Sequence, residues 1–503
     1  MLGKWQCKAG LPLVGGSEEI FGKYAGKSHD KSQGYVPSKY LGYYQLLPEP
    51  GVETPSRPII KRPIFKSSIW RGLLFGACLL APSALVAENI QEAVQAAVAQ
   101  HPEITRDRAS AAAAGHSVDE AFSTFLPRLD VEGAGGYELT DSPTTRATDV
   151  NTRGLVRSEG SFTMTQRVFD GFDTLSRVKA ARARAKAADT FAGETVHRIS
   201  LLAATLYLDV LRNKAFTKSA LWNAGIHLTL VGQVRELKQS GRGVGTDVDQ
   251  AETRVALAQT ELEKFRGDVN VAQSRYREVV GKEADELSRP KNPDYQRPAT
   301  IDEAVASAEA SHPRIQTAAG VRAARQADVT TAQANYYPQV NLEAVGTTTG
   351  NKDGVPSQDS DFNRRVRGSY NIFNGLGDLA RVRGSEKLVE VASAEVREAK
   401  RLTRENVRVA YEQVKTAERR LKPLQAQTVA AERVVSGYDK QFKLGQRTLL
   451  DLLDAQNELF QARLSEIDGG YRVLLSHYEL MSAMGTLPSH FGVSANKIAQ
   501  KSD

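Results

Sequence analysis

The chain has 503 residues, 25% of them charged, with a formal net charge of +7 and two cysteines. Residues 1–87 hold 11 Lys/Arg against 5 Asp/Glu, so the basic excess lies almost wholly there and the remainder is near neutral at +1. That distribution excludes an electrostatic case for nucleic-acid binding. With cysteines only at Cys7 and Cys78, nothing downstream offers a disulfide, a thiolate metal site or a cysteine nucleophile.

Residues 1–60 are rich in Gly, Pro, Tyr, Ser and Lys with little periodicity, and read as a disordered or mis-called N-terminal extension. "KRPIFKSSIWR" (61–71) is a basic n-region, and "GLLFGACLLAPSALVA" (72–87) is an apolar h-region ending in small residues. Residues 61–87 are therefore predicted to be a signal peptide cleaved after Ala87. The apolar run is short for a membrane span, and no later run reaches about 18 apolar residues. Cys78 is a poor lipoprotein match, since the apolar run continues past it.

The rest of the chain is written twice. "IQEAVQAAVAQHPEI" (90–104) resembles "IDEAVASAEASHPRI" (301–315) at an offset of 211, and "FLPRLDVE" (125–132) meets "YYPQVNLE" (336–343) at the same offset. After a shorter loop the offset becomes 204, where "VFDGFDTLSRV" (168–178) meets "IFNGLGDLARV" (372–382). At that offset Tyr207 meets Tyr411, Asp247 meets Asp451, and Gly281 meets Gly485. The predicted units are repeat 1 (88–281), a Pro-rich linker (282–300), repeat 2 (301–487) and a tail (488–503).

Within each unit a helix begins at His101-Pro102 or His312-Pro313, with Pro suited to the first turn. It ends at "FLP" or "YYP", because Pro disfavours helix in the residue before it. Two strands follow. "SFTMTQRVF" (161–169), "QVNLEAVG" (339–346) and "VRGSYNIF" (366–373) alternate in the strand period. A very long helix is predicted over 173–239, where Val178, Ala185, Ala192, Ile199 and Leu206 recur every seven residues, a period that coils a helix around a partner. At about 1.5 Å per residue it spans roughly 100 Å. Its counterpart runs from about 377 to 443, with Pro423 as a kink candidate. Each long helix reverses at a Gly-rich tip, "SGRGVGTDVDQAE" (240–252) or "LGQRTLLDLLDAQ" (444–456), and a return helix follows.

Four amphipathic strands cannot close a barrel, for which about eight is the practical minimum. An open sheet cannot sit in lipid with free edges. Several chains must therefore contribute strands to one barrel.

The duplicated order, "ENIQEAVQAAVAQHPEI", the "LGQRTLLDLLDAQ" tip and the closing "YELMSAMGTL" (478–487) resemble the TolC family of outer-membrane channel-tunnel proteins. The resemblance covers about 88–487 and leaves 1–60 without a counterpart. It implies a mainly α chain with a membrane β part. Three protomers would form a 12-stranded β-barrel in the outer membrane, continued by an α-helical tunnel across the periplasm. It also implies no cofactor, no metal and no catalysis. The partners would be a periplasmic adaptor and an inner-membrane ABC, RND or MFS transporter. "LLDLLDAQNELFQAR" resembles members serving type I protein secretion and is compatible with drug efflux.

The resemblance places Asp451 and Asp454, which share a helix face, at the tunnel entrance. Three chains would stack their carboxylates in rings that favour cations, with a pH-dependent conductance. The alternative for both is a solvated face paired to Arg447. Arg447 matches a family position that holds the closed entrance, and Asp247 matches a partner in that gate, although it is also a good N-cap. Phe442 stands where the best-known member has Tyr, so a hydroxyl link is lost. Gly241, Gly245 and Gly445 read as turn glycines, and the resemblance makes them a docking surface for adaptor hairpins.

Other readings are weaker. "GRGVG" follows a helix rather than a strand, so it is no phosphate loop. The repeated His-Pro pairs favour helix starts over catalysis. His197, His227 and His477 are scattered along helices, and no HExxH or GxSxG pattern occurs. A coiled-coil structural protein or adhesin without a pore is the competing class, and the strand pairs argue against it.

Overall fold

The computed structural model describes residues 88–147 and 152–493. The predicted signal peptide and the extension before it lie outside the described residues. The described elements follow in chain order. They are α1 (Ile90–Gln100), α2 (Pro102–Ser123), β1 (Arg128–Thr140), α3 (Pro143–Ala147), β2 (Arg153–Phe169), α4 (Asp173–Gln239) and α5 (Gly245–Val280). Then come α6 (Ile301–Ser311), α7 (Pro313–Gln333), β3 (Gln339–Gly350), β4 (Gln358–Ser369), α8 (Gly377–Lys443), α9 (Leu449–Ala483) and α10 (Leu487–His490). Apart from the short α3 and α10, the second half repeats the first.

Local chemistry explains the element ends. His101 closes α1 and caps α2, its Nδ1 accepting from the Glu103 amide at 3.3 Å, and His312 does the same for α7 through the Arg314 amide at 3.2 Å. Both histidines are followed by Pro at the first helical position. Asn89 and Thr300 each form a reciprocal capping box with the Glu three residues on. The long helices are each 67 residues, and α8 runs unbroken through Pro423. Of the heptad residues on α4, Val178, Ala192, Ile199 and Leu206 are buried and Ala185 is half-buried.

The four strands form one antiparallel sheet in the order β1-β2-β3-β4. Val131 pairs with Phe162, Phe162 with Gly346 and Gly346 with Phe362, so these residues share one face. Leu129, Val131, Tyr137 and Leu139 on β1, and Phe362 and Val366 on β4, make that face largely apolar and exposed, with the Arg364 guanidinium lying over the Phe362 ring at 5.2 Å. The other face carries Asp130, Glu132, Glu343, Arg365 and Arg367, with Arg365 Nε 2.8 Å from the Glu343 carboxylate. β4 ends at Ser369 rather than at the predicted Phe373. Ser369 pairs with Gln339, the first residue of β3 after Pro338, so nothing remains for Tyr370 to pair with.

The principal core lies about midway along the long helices. There α1, α6 and the C-terminal turns of α5 and α9 pack on α4 and α8 around Tyr207, Tyr276 and Tyr478. The linker lies against this core, and its Glu286 and Ser288 bracket Glu88 through backbone hydrogen bonds of 2.9 and 3.1 Å. The predicted tail begins in the core too. Pro488, Phe491 and Val493 are buried, and the Gln95 amide donates to the Phe491 carbonyl at 2.8 Å.

Candidate entrance at the paired hairpin tips

Two tips sit side by side. At the first, the Arg242 amide donates to the Leu237 carbonyl at 2.9 Å, and at the second the Gln446 amide donates to the Gln441 carbonyl at 2.9 Å. Each bond spans five residues, the helix-closing arrangement that needs a left-handed residue between. Gly241 (φ 74) and Gly445 (φ 72) supply it, and both have open space where a Cβ would stand. Gly245 does not. It is the first residue of α5 with no positive φ, so the expectation of a turn glycine there is corrected. The glycine with a tight environment is Gly243, whose Cβ would lie 3.0 Å from the Lys238 nitrogen.

The return helices start differently. α9 is capped by Thr448, whose Oγ1 accepts from the Asp451 amide at 3.2 Å and donates to Asp451 Oδ2 at 2.8 Å. In α5 the cap position is Val244, which has no side chain for the task. Asp247 lies in the first turn, three residues inside, and is therefore not the N-cap. Its carboxylate there still favours the helix N-terminus electrostatically.

Three of the four leucines of "LLDLLD" face inward, and Leu450 is exposed. Leu449, Leu452 and Leu453 are buried against Leu230, Val231 and Val234 of α4 and Val248 and Ala251 of α5, with Tyr438 and Phe442 packed on that cluster. Asp451 and Asp454 stay on the open side of α9. They do not share a partner. Arg447 Nη1 lies 3.8 Å from Asp451 Oδ2, and its guanidinium stacks on Tyr438 at 4.0 Å. Asp454 is bound by Arg254 of α5, Nη2 to Oδ1 at 2.9 Å. Asp247, Phe442, Gly445 and Arg447 line one cleft of about 580 Å³ between the tips. Among the described residues no hydrogen bond or ion pair joins Arg447 to Asp247.

Sequence reasoning missed Arg254. Its offset-204 counterpart is Glu458, and a reversed charge at a duplicated position was the available signal. It also missed Arg463 of α9, which stacks on Trp222 of α4 at 3.8 Å and pairs with Glu432 of α8 at 2.7 Å.

Duplicated strand pairs with an apolar outer face, carried on long paired hairpins that end in a charged cleft, are the build of a membrane duct. The family model described as "Outer membrane efflux protein" matches residues 93–282 and 304–486, and the chain belongs to that family. It is an outer-membrane exit channel with a periplasmic tunnel, and it is not an enzyme.

Two curated relatives match over most of their length. Outer membrane efflux protein BepC of Brucella suis is 26% identical over 423 residues, 84% of this chain and 91% of the relative. Outer membrane protein TolC of Escherichia coli K12 is 23% identical over 453 residues, 85% and 89% of the two chains. Among solved structures, the Campylobacter jejuni CmeC outer membrane channel aligns with a TM-score of 0.70 at 14% identity, covering 80% of this chain and 86% of that one. The outer-membrane channel OprN aligns at 0.68 and 18% identity, covering 79% and 90%. These likenesses concern the fold.

Proposed function

We propose that three copies of this chain close one twelve-stranded barrel and one helical tunnel. The duct passes cargo delivered by a periplasmic adaptor and an inner-membrane transporter, in type I protein secretion, multidrug efflux or both. The observation that carries the trimer is the repetition of strand register. Arg128 pairs with Thr165 in repeat 1, and the offset equivalents Gln339 and Ser369 pair in repeat 2. Between repeats, β2 meets β3 with Phe162 opposite Gly346. The same step taken from β4 lands on β1 of a neighbouring copy with Val366 opposite Gly135. β1 and β4 are the two free edges of the sheet, and edges exposed to lipid are not tolerated. Each strand has 12 residues or more, enough for a tilted crossing that needs roughly 9–11.

In this arrangement the tips form the periplasmic entrance. Asp451 and Asp454 set its preference for cations, and Arg447, Asp247 and Phe442 hold it narrow. Gly241, Gly245 and Gly445 lie on the surface offered to adaptor hairpins. The test is single-channel recording of residues 88–503 in a planar bilayer, beside a variant with Asp451 and Asp454 changed to Ala. A cation-selective pore that loses selectivity in the variant is the expected result. A pore of unchanged selectivity rejects the carboxylate assignment, and well-folded trimers without conductance favour the coiled-coil structural protein.

A further inference from the structure

Two hairpins, α4/α5 and α8/α9, descend side by side to the entrance. Among the described residues two ion pairs tie one hairpin to the other. Arg212 of α4 reaches Asp468 of α9 at 3.4 Å, and Arg254 of α5 reaches Asp454 at 2.9 Å. Asp454 lies fourteen residues nearer the tip on α9, about 20 Å lower at 1.5 Å per residue. Arg254–Asp454 is thus the last ionic tie before the tips.

The pair did not come with the duplication. Arg254 corresponds to Glu458, and Asp454 corresponds to Gln250. Neither copy could make this contact with its own equivalent residues, so the tie belongs to the difference between the repeats. Asp454 is also the more exposed partner, its side chain 57% accessible against 32% for Arg254. The carboxylate therefore meets the aqueous entrance while a cation from the other hairpin neutralises it. Asp451 is in another situation, because Thr448 and Arg447 lie on its own hairpin and travel with it.

We propose that Arg254 is a specificity-determining residue that masks Asp454 while the hairpins are together. Parting them separates the pair and adds one uncompensated negative charge per copy at the entrance. Cation preference then rises as the duct opens, so opening and selectivity are one event. This rests on the reading of the tips as the entrance of a trimeric duct.

The experiment is reversal-potential and conductance recording at low salt, where screening is weak, on the wild-type channel, R254Q, D454N, R254Q/D454N, R254K and D451N. Selectivity should follow summed charge and conductance should follow the integrity of the pair. R254Q should raise the cation-to-anion permeability ratio roughly two- to threefold, and D454N should lower it. The double variant should restore the wild-type ratio while keeping the raised conductance of both single variants. R254K should keep the wild-type ratio, and it serves in place of R254Q if that variant yields no trimers: a ratio shifted in R254K despite its retained charge then overturns the proposal. R254Q with unchanged selectivity beside a shifted D451N overturns the proposal and leaves the entrance standing. Unchanged selectivity in every variant of a conducting channel overturns the entrance reading and the proposal together.

Discussion

Tyr207 and Tyr411, 204 residues apart, make the same bond twice. Tyr207 donates to the Glu88 carbonyl at 2.7 Å and Tyr411 to the Ala299 carbonyl at 2.8 Å, and those acceptors are offset equivalents just before α1 and α6. Each hydroxyl has a second carbonyl in reach, Ser288 for Tyr207 and Pro298 for Tyr411. Both rings are buried. Tyr→Phe at either site removes the bond that holds the segment before α1 or α6 to its long helix and should cost about 1 kcal/mol. Thermal unfolding of Y207F and Y411F checks this. A cost at one site only would show that the two halves are not held alike.

The tip glycines give opposite expectations. Gly241→Ala and Gly445→Ala place a side chain at positive φ in open space, so each should cost about 1 kcal/mol of strain without a clash. Gly245→Ala falls at an ordinary helical position and should be neutral or stabilising by up to about 1 kcal/mol. Denaturant unfolding of the three variants separates the two classes, and a large loss in G245A would refute the assignment.

Pro423 stands inside α8 where repeat 1 has Ser219 in α4. It has no amide to give the Arg419 carbonyl. Across from its neighbour Leu424 lies Gly469, where a Cβ would come within 2.7 Å of the Leu424 side chain. The second hairpin is therefore weakened at a level where the first is closed by Phe216 against Phe265, centroids 5.4 Å apart. Pro423→Ala should stabilise α8 by up to about 3 kcal/mol. Hydrogen exchange of α8 should slow around residues 419–427, and faster exchange there would contradict the argument.

Acid should weaken the helical region through His197. Burial first, and the charge of His312 second, bring His197 down to about 4 from an ordinary 6.5. The unfolded chain then binds the proton more readily. Stability is complete above about pH 6.5 and declines as pH falls toward 4, by at most about 3 kcal/mol. Burial lowers His227, His312 and His477 in the same direction. A melting series from pH 7.5 to 4.5 should show the decline, and H197Q should make it shallower. A pH-independent wild type would remove this account.

The strand register can be tested directly. Extending the β2–β3 pairing across copies sets Arg367 opposite Ala134 of the neighbour, on the polar face. In a protein with Cys7 and Cys78 replaced by Ser, A134C/R367C should oxidise to covalent dimers and trimers on a denaturing gel. Either single variant should remain monomeric there. Cross-linking that appears instead with a partner two residues away would shift the register, and none at all would reject the β4–β1 joint.

Features that depend on a residue and its near neighbours were legible in the chain. The bounds of α4 and α8 followed from a seven-residue period and from the Gly-rich tips. The helix starts followed from His-Pro, and the duplication from two constant offsets, because helical period and turn chemistry act over a few residues. The end of β4 was not legible, since a strand stops where its neighbour stops, and the neighbour's limit is Pro338. Nor could the chain show that Gly241 and Gly445 take the left-handed turn while Gly245 begins a helix, a matter of one residue of register in the tip. The largest gap was Asp454. Its partner Arg254 lies 200 residues away on the other hairpin, and only the packing of one return helix beside the other brings a guanidinium onto that carboxylate.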